Sequence, residues 1–267
     1  MNILSLAKKL VGLRGQLLAL PVLLAVLACP QLAVAKDWKQ VRIATEGAYP
    51  PFNWVDAGGQ LKGFDVDIAN ALCAEMKADC TLVAQDWEGL IPSLLANKYD
   101  AIVASMTITA ERKQVVDFTE HYYTTPLSLV VPKDSLIADL SPASLNGKSL
   151  GAQASTTQAS YADEKLRPAG AALKLYPTQD EVNLDMASGR LDAEVADKFV
   201  LVDWLKKDGA ACCKLLGDFA GTNAQAGITV RKGDTDLKEM LNTALQAIRA
   251  DGTYDRIASR YFDFEIY

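Results

Sequence analysis

The stretch IATEGAYPPFNW, Ile43 to Trp54, ends an apolar run on a carboxylate, Glu46, then adds a glycine, an aromatic residue and two prolines. A turn accounts for Gly47, Pro50 and Pro51. It does not account for a carboxylate and a tyrosine placed side by side where a strand stops. The expectation is that the strand end presents Glu46 and Tyr49 to a ligand, with the rigid Pro50–Pro51 pair holding Tyr49 in place.

The residues on either side set that strand in a repeating order. VRIAT (41–45) reads as a strand, and Phe64, Ile68, Leu72 and Met76 recur every fourth position, so they share one helix face. TLVA (81–84) reads as a strand, WEGLIPSLLANK as a helix and AIVAS (101–105) as a strand. The rhythm resumes with PLSLVV (126–131), KSLGA, and a helix over STTQASYADEKL capped by Ser155 or Thr156. After LKLY, Thr178-Gln179-Asp180-Glu181 forms a capping box expected to open a helix that ends at Gly189. LDAEVA (191–196) is the next strand, and the last helix places Leu237, Met240, Leu241, Ala244, Leu245 and Ile248 on one face. Strand–helix alternation predicts α/β layers with mostly parallel sheets. Its occurrence twice predicts two lobes, with crossovers near Thr124–Leu127 and Gly221–Gly227.

The N-terminus is of another kind. Lys8, Lys9 and Arg14 precede an apolar run from Leu17 to Ala28, and Ala33-Val34-Ala35 offers small residues at the cleavage spacing. Residues 1–35 read as a cleaved secretory signal. Val26-Leu27-Ala28-Cys29 is an imperfect lipoprotein box and the weaker alternative. Without residues 1–35 the chain carries 24 basic and 33 acidic residues, a net charge of −9. That charge disfavours nucleic acid as a partner. Cys73 and Cys80 flank a short segment and can close a small loop in an oxidising compartment. Cys212 and Cys213 are adjacent, poor geometry for a mutual disulfide, and read as free thiols. His121 is the only histidine and no C-x-x-C pair exists, so neither a metal nor another cofactor is expected.

Ligands of open α/β sheets bind beyond the carboxyl ends of the strands. Glu46, Ser105, Thr107, Thr157 and Asp197 all fall at such ends, and Trp87 follows strand 81–84. Arg112, early in a short helix after Thr109, suits a carboxylate by bidentate hydrogen bonding, though Thr109 as a plain cap and Arg112 as a solvated charge fit that stretch equally well. Asp197 reads as a helix cap or as the counter-ion of an ammonium group. Together these residues describe a zwitterion with a second positive group near Glu46, flanked by the faces of Tyr49 and Trp87.

With those residues in view, the chain resembles the extracytoplasmic solute-binding proteins of polar amino acid ABC transporters, the lysine/arginine/ornithine- and histidine-binding group. The resemblance is carried by IATEGAYPPFNW, GFDVDIANALC, DWEGLIPSL, YDAIVASMTITAERKQVVDFT, ASTTQASYA, ASGRLDAEVADK, GITVRKGD and DGTYDRIASRYFDFEIY. It implies the type II periplasmic-binding-protein fold: lobe 1 over 36–125 and 223–267, lobe 2 over 126–222, joined by two hinge strands. It implies a periplasmic, monomeric binding protein, not an enzyme, that closes on a basic amino acid and serves an inner-membrane permease. Residue by residue it makes Arg112 the carboxylate ligand with Thr107 and Thr157, Asp197 the ammonium ligand, Tyr49 and Trp87 the side-chain sandwich, and Glu46 the partner of the distal cation. Cys73 and Cys80 match the family's disulfide. Ala104, where the group carries a second serine, and Gln153, where it carries a leucine facing the cleft, depart from the pattern, as do Glu194 and the segment GDFAGTNAQAGITV. These departures keep an opine or a polyamine-like amine open as ligand. A dehydratase-like enzyme on the same fold would need an acid or base such as Glu46, Glu194 or His121.

Overall fold

The computed structural model describes residues 36–267. The expected signal segment, with Cys29, lies outside the described residues. Among these, no helix is long and apolar enough to cross a membrane.

Two five-stranded sheets organise the chain. Across the first, the order is Asp79–Ala84, Gln40–Thr45, Ala101–Ile102, Ala224–Arg231 and Val116–Thr125. Across the second it is Ala172–Tyr176, Ser149–Gln153, Ala193–Asp197, Leu127–Pro132 and Cys213–Asp218. In the first sheet Gln40–Thr45 pairs in parallel with both of its neighbours, whereas Ala224–Arg231 is antiparallel to both of its own. The second sheet is divided in the same way, parallel around Ser149–Gln153 and antiparallel around Leu127–Pro132. The sheets are therefore mixed rather than mostly parallel. Helical crossovers make the parallel half of each sheet; the strands beside the two crossings run the other way.

The chain leaves the first sheet at Thr125 and enters the second at Leu127; it leaves the second at Asp218 and re-enters the first at Ala224. Each sheet with its helices forms a lobe. In the first lobe the helices Phe64–Met76 and Thr235–Ala250 cover one sheet face, burying Phe64, Ile68, Leu72, Leu237, Leu241, Ala244, Leu245 and Ile248 against Val41, Ile43 and Ile228. Met240, expected on the same stripe, is only half-buried. Phe52, Phe64, Tyr123 and Phe262 stack edge and face at that helix's N-terminal end, with Phe52 and Tyr123 centroids 4.6 Å apart.

Several elements are shorter than their sequence pattern. The strand expected over 101–105 pairs only at Ala101–Ile102, because Ser105 turns into the left-handed region at φ 54°. The helix expected from Trp87 begins as a 3₁₀ turn, Trp87–Gly89, and becomes α-helical at Leu90–Leu95. The helix after Gln153 is α-helical over Thr157–Tyr161; Thr156 caps it, its Oγ1 accepting from the Ala159 amide at 3.1 Å. Thr178 caps the helix Gln179–Ala187, accepting from the Glu181 amide at 3.3 Å. The opening stretch folds into a small antiparallel sheet, Ala48–Tyr49, Asn53–Val55 and Leu61–Lys62, that the sequence reading did not anticipate. Gly63 follows it at φ 122°, and a Cβ there would collide with the Phe52 carbonyl, so glycine is required.

Cys73 and Cys80 are bonded, tying the end of helix Phe64–Met76 to strand Asp79–Ala84 with Cα atoms 6.1 Å apart. Cys212 and Cys213 are also bonded, which corrects the expectation of free thiols. The pair lies where a tight turn at Asp208–Ala210 feeds strand Cys213–Asp218. Replacing Cys73 and Cys80 by alanine is expected to cost about 2–3 kcal/mol of stability, the loop-closure value for so short a loop. Denaturant unfolding of the double variant against the parent measures it.

Candidate functional site

One narrow, nearly closed cavity, with a free volume of about 10 Å³, lies where the carboxyl ends of the strands of the two lobes face each other. Glu46, Tyr49, Trp87, Ser105, Thr107 and Arg112 line it from the first lobe. Gln153, Thr157 and Asp197 line it from the second, so all nine residues singled out in the sequence meet there. Ala104, Thr156 and Gln158 complete the wall. Of these, Gln158 matters most: its Nε2 donates to the Tyr49 hydroxyl at 3.1 Å. Its position one residue into the helix, directly after Thr157, was the available signal.

At one end stands Arg112. Thr109 does cap its turn, accepting from the Arg112 amide at 3.1 Å, and Arg112 still reaches the cavity. Its Nη1 donates to the Thr107 carbonyl at 2.8 Å and its Nη2 to the Ser155 carbonyl at 3.3 Å, and the guanidinium lies 5.3 Å from the Trp87 ring centroid. Among the described residues it has no carboxylate within ion-pair distance, and desolvation lowers its pKa to about 10. Thr107 and Thr157 hydroxyls approach to 3.4 Å beside it.

Asp197 is fully buried at the end of strand Ala193–Asp197. It makes no side-chain cap to the helix that follows. Its Oδ2 accepts from the Tyr49 hydroxyl at 2.8 Å, and its Oδ1 has no partner. Desolvation raises its carboxyl to about 7 despite that hydrogen bond and the nearby Arg112. At the far end Glu46, 7% exposed, accepts from Gln153 Nε2 at 2.6 Å. Burial raises Glu46 to about 7, and the carboxylates of Asp180, Asp86 and Asp65 push the same way.

Ser105 is the exception among the nine. It borders the cavity, but its hydroxyl donates to Asp65 Oδ2 at 2.9 Å. That hydroxyl therefore belongs to a buried network behind the wall. His121 packs on Tyr267, ring centroids 4.7 Å apart, and does not line the cavity. Glu194 does not line it either. It is fully buried on the strand face it shares with Ala196, and among the described residues neither of its oxygens has a partner.

The chain matches the bacterial extracellular solute-binding proteins, family 3, over residues 41–264. It belongs to that family. It is 45% identical over 249 residues to the L-arginine-binding protein of Pseudomonas aeruginosa, covering 91% of this chain and 95% of that one. It is 40% identical over 232 residues to the lysine/arginine/ornithine-binding periplasmic protein of Escherichia coli, covering 85% of this chain and 89% of that one. Among solved structures, an ancestral arginine-binding protein bound to arginine superposes with a TM-score of 0.79 at 35% identity, over 84% of this chain and 98% of its own. The two-lobed type II binding-protein fold implied by the resemblance is the fold observed.

Glu194 yields a test independent of any ligand. Burial raises its carboxyl from the usual 4.5 to about 8, so the folded protein holds a proton that the unfolded chain has released. Stability contributed by that proton is lost as pH rises from about 4.5 to 8. Glu194→Gln is expected to remove this fall, up to about 1.4 kcal/mol per pH unit in the difference between parent and variant. Melting curves of both proteins between pH 5 and 8 measure it; parallel pH profiles would contradict it.

Proposed function

We propose that this family member is an exported, periplasmic protein that captures an L-α-amino acid with a cationic side chain and delivers it to an ABC-transporter permease. Arginine, lysine and ornithine are the ligands in view. The observation that carries the reading is an arginine without a carboxylate partner and an aspartate with an unpaired oxygen, facing one cavity between two lobes. An α-amino acid head supplies what both lack: a carboxylate for Arg112, helped by Thr107 and Thr157, and an ammonium for Asp197. Glu46 takes the distal cation, with Gln153 beside it, while Tyr49 and Trp87 flank the stem.

The names of the two relatives point the same way: one is an arginine-binding protein, the other a lysine/arginine/ornithine-binding one. A polyamine is disfavoured because it would face Arg112 with a second cation. An opine is disfavoured because the Glu46–Gln153 hydrogen bond joins the two lobes at the far end of the cavity. Of the three acid–base candidates, His121 and Glu194 do not line the cavity; Glu46 does, and in this reading it pairs with the distal cation.

Calorimetry tests the head and the tail separately. Arg112→Ala is expected to weaken arginine by about 2–5 kcal/mol, the cost of leaving a buried carboxylate unpaired. Glu46→Gln is expected to weaken arginine and lysine strongly and a neutral amino acid of similar size little. A diamine that binds the parent best, with Arg112→Ala without effect, would overturn the reading.

The pH dependence follows from Glu46 and Asp197, both raised to about 7. Each must lose its proton to pair with a ligand cation. Affinity for arginine is therefore expected to fall as pH drops below about 7, and Glu46→Gln to remove part of that slope while Asp197 retains the rest. Titrations from pH 5 to 9 in buffers of different ionisation enthalpy report the protons released.

A further inference from the structure

The two lobes touch at two depths. Inside the cavity the contacts include Tyr49 to Asp197 and Gln158, Gln153 to Glu46, and Thr107 to Thr157, all made by groups that line it. At one edge of the cleft three contacts converge on Ser155, which does not line the cavity; elsewhere outside it Lys206 and Asp263 pair across the lobes at 3.3 Å. The Ser155 carbonyl accepts from Trp87 Nε1 at 3.0 Å and from Arg112 Nη2 at 3.3 Å. Its hydroxyl donates to Glu88 Oε1 at 2.9 Å. Every one of these partners belongs to the first lobe.

Ser155 occupies the left-handed region at φ 59°, between the end of strand Ser149–Gln153 and the Thr156 cap of the next helix. A glycine makes that turn without opposition from a Cβ. A serine there is strained, and what it adds is the hydroxyl aimed at Glu88. Glu88 lies in the 3₁₀ turn beside Trp87 and, like Ser155, is exposed. The same turn thus holds the Trp87 ring and Glu88 against a single residue of the opposite lobe.

We propose that Ser155 and Glu88 form a rim latch that sets how long the closed cleft stays closed, without touching the ligand. They are positioning residues: through closure they keep Trp87 and Arg112 in place. This rests on the reading of the cleft as an amino acid trap, so the test has one arm with ligand and one without. A latch outside the cavity acts on dissociation, not on ligand choice, since association occurs to the open form.

Stopped-flow kinetics with arginine forms the first arm. Ser155→Ala and Glu88→Ala are each expected to raise the dissociation rate about 3–10-fold, the range for loss of one hydrogen bond. The association rate and the arginine-to-lysine affinity ratio are expected to stay within twofold. The double variant is expected to be no faster than the faster single variant, because both remove one bond. Glu88→Gln, which keeps an acceptor oxygen, is expected to retain most of the parent's slow dissociation. Additive effects, a changed affinity ratio or an unchanged dissociation rate would overturn the latch.

The second arm needs no ligand. Spin labels at Leu95→Cys and Leu184→Cys, exposed positions on opposite lobes, report the separation of the lobes. Ser155→Ala is expected to enrich the longer distances relative to the parent protein, and an unchanged distribution would overturn the latch. If no amino acid binds the parent, the proposed function fails, and the distance distributions alone still decide the latch.

Discussion

Asp65 is wholly buried at the first turn of helix Phe64–Met76, and it accepts hydrogen bonds from Asn53, Ser105 and Tyr122 at 2.8, 2.9 and 2.7 Å. The Tyr122 hydroxyl in turn accepts from the Ser105 amide at 2.9 Å, and Asn53 Oδ1 accepts from the Gly47 amide at 2.7 Å. One carboxylate thereby fixes the hairpin after Glu46, the bend after strand Ala101–Ile102 and the strand Val116–Thr125. These are the segments that carry Glu46, Tyr49, Thr107 and Arg112 to the cavity. Burial raises Asp65 to about 6, so its hydrogen bonds only partly offset the loss of water. A buried polar network of this kind specifies one arrangement because each alternative leaves a member unsatisfied.

The cleft built on that frame concentrates groups that do not satisfy one another. Among the described residues Arg112 has no carboxylate within ion-pair distance, Asp197 has an oxygen without a hydrogen-bond partner, and Glu46 lies in the field of three further carboxylates. Proteins retain such cost where a ligand offsets it. The lobes meet through neutral or shared hydrogen bonds, Tyr49 to Asp197 and Gln153 to Glu46, which a zwitterion with a cationic tail can replace one for one. Closure contacts at the rim, through Ser155, lie outside that exchange. Ligand choice and lifetime are then governed by different residues of the same cleft.

The lobed α/β architecture was legible because strand and helix periodicity recur along the chain, and because Glu46, Thr107, Thr157 and Asp197 each stand where a strand pattern stops. Ser105 was only half legible. It borders the cavity as expected, but it sits in a bend past the strand's end at Ile102, and the direction of its hydroxyl depends on Asp65, forty residues earlier. The pairing of Cys212 with Cys213 was misread because adjacency alone does not fix backbone geometry; Cys212 ends a turn and Cys213 begins a strand.

Residue order alone determined which side chains come to the strand ends, since period-two alternation and helix caps are local properties. It also determined the charge types available there: one arginine and two acids, Glu46 and Asp197. The tertiary structure decided which of those groups remain unpaired, because pairing depends on contacts across more than a hundred residues, such as Tyr49 with Asp197 and Glu46 with Gln153. It also decided that Ser155, an unremarkable serine in sequence, is the residue on which three contacts at one edge of the cleft converge. Local sequence fixes where a side chain begins; the distance between lobes fixes what it can reach.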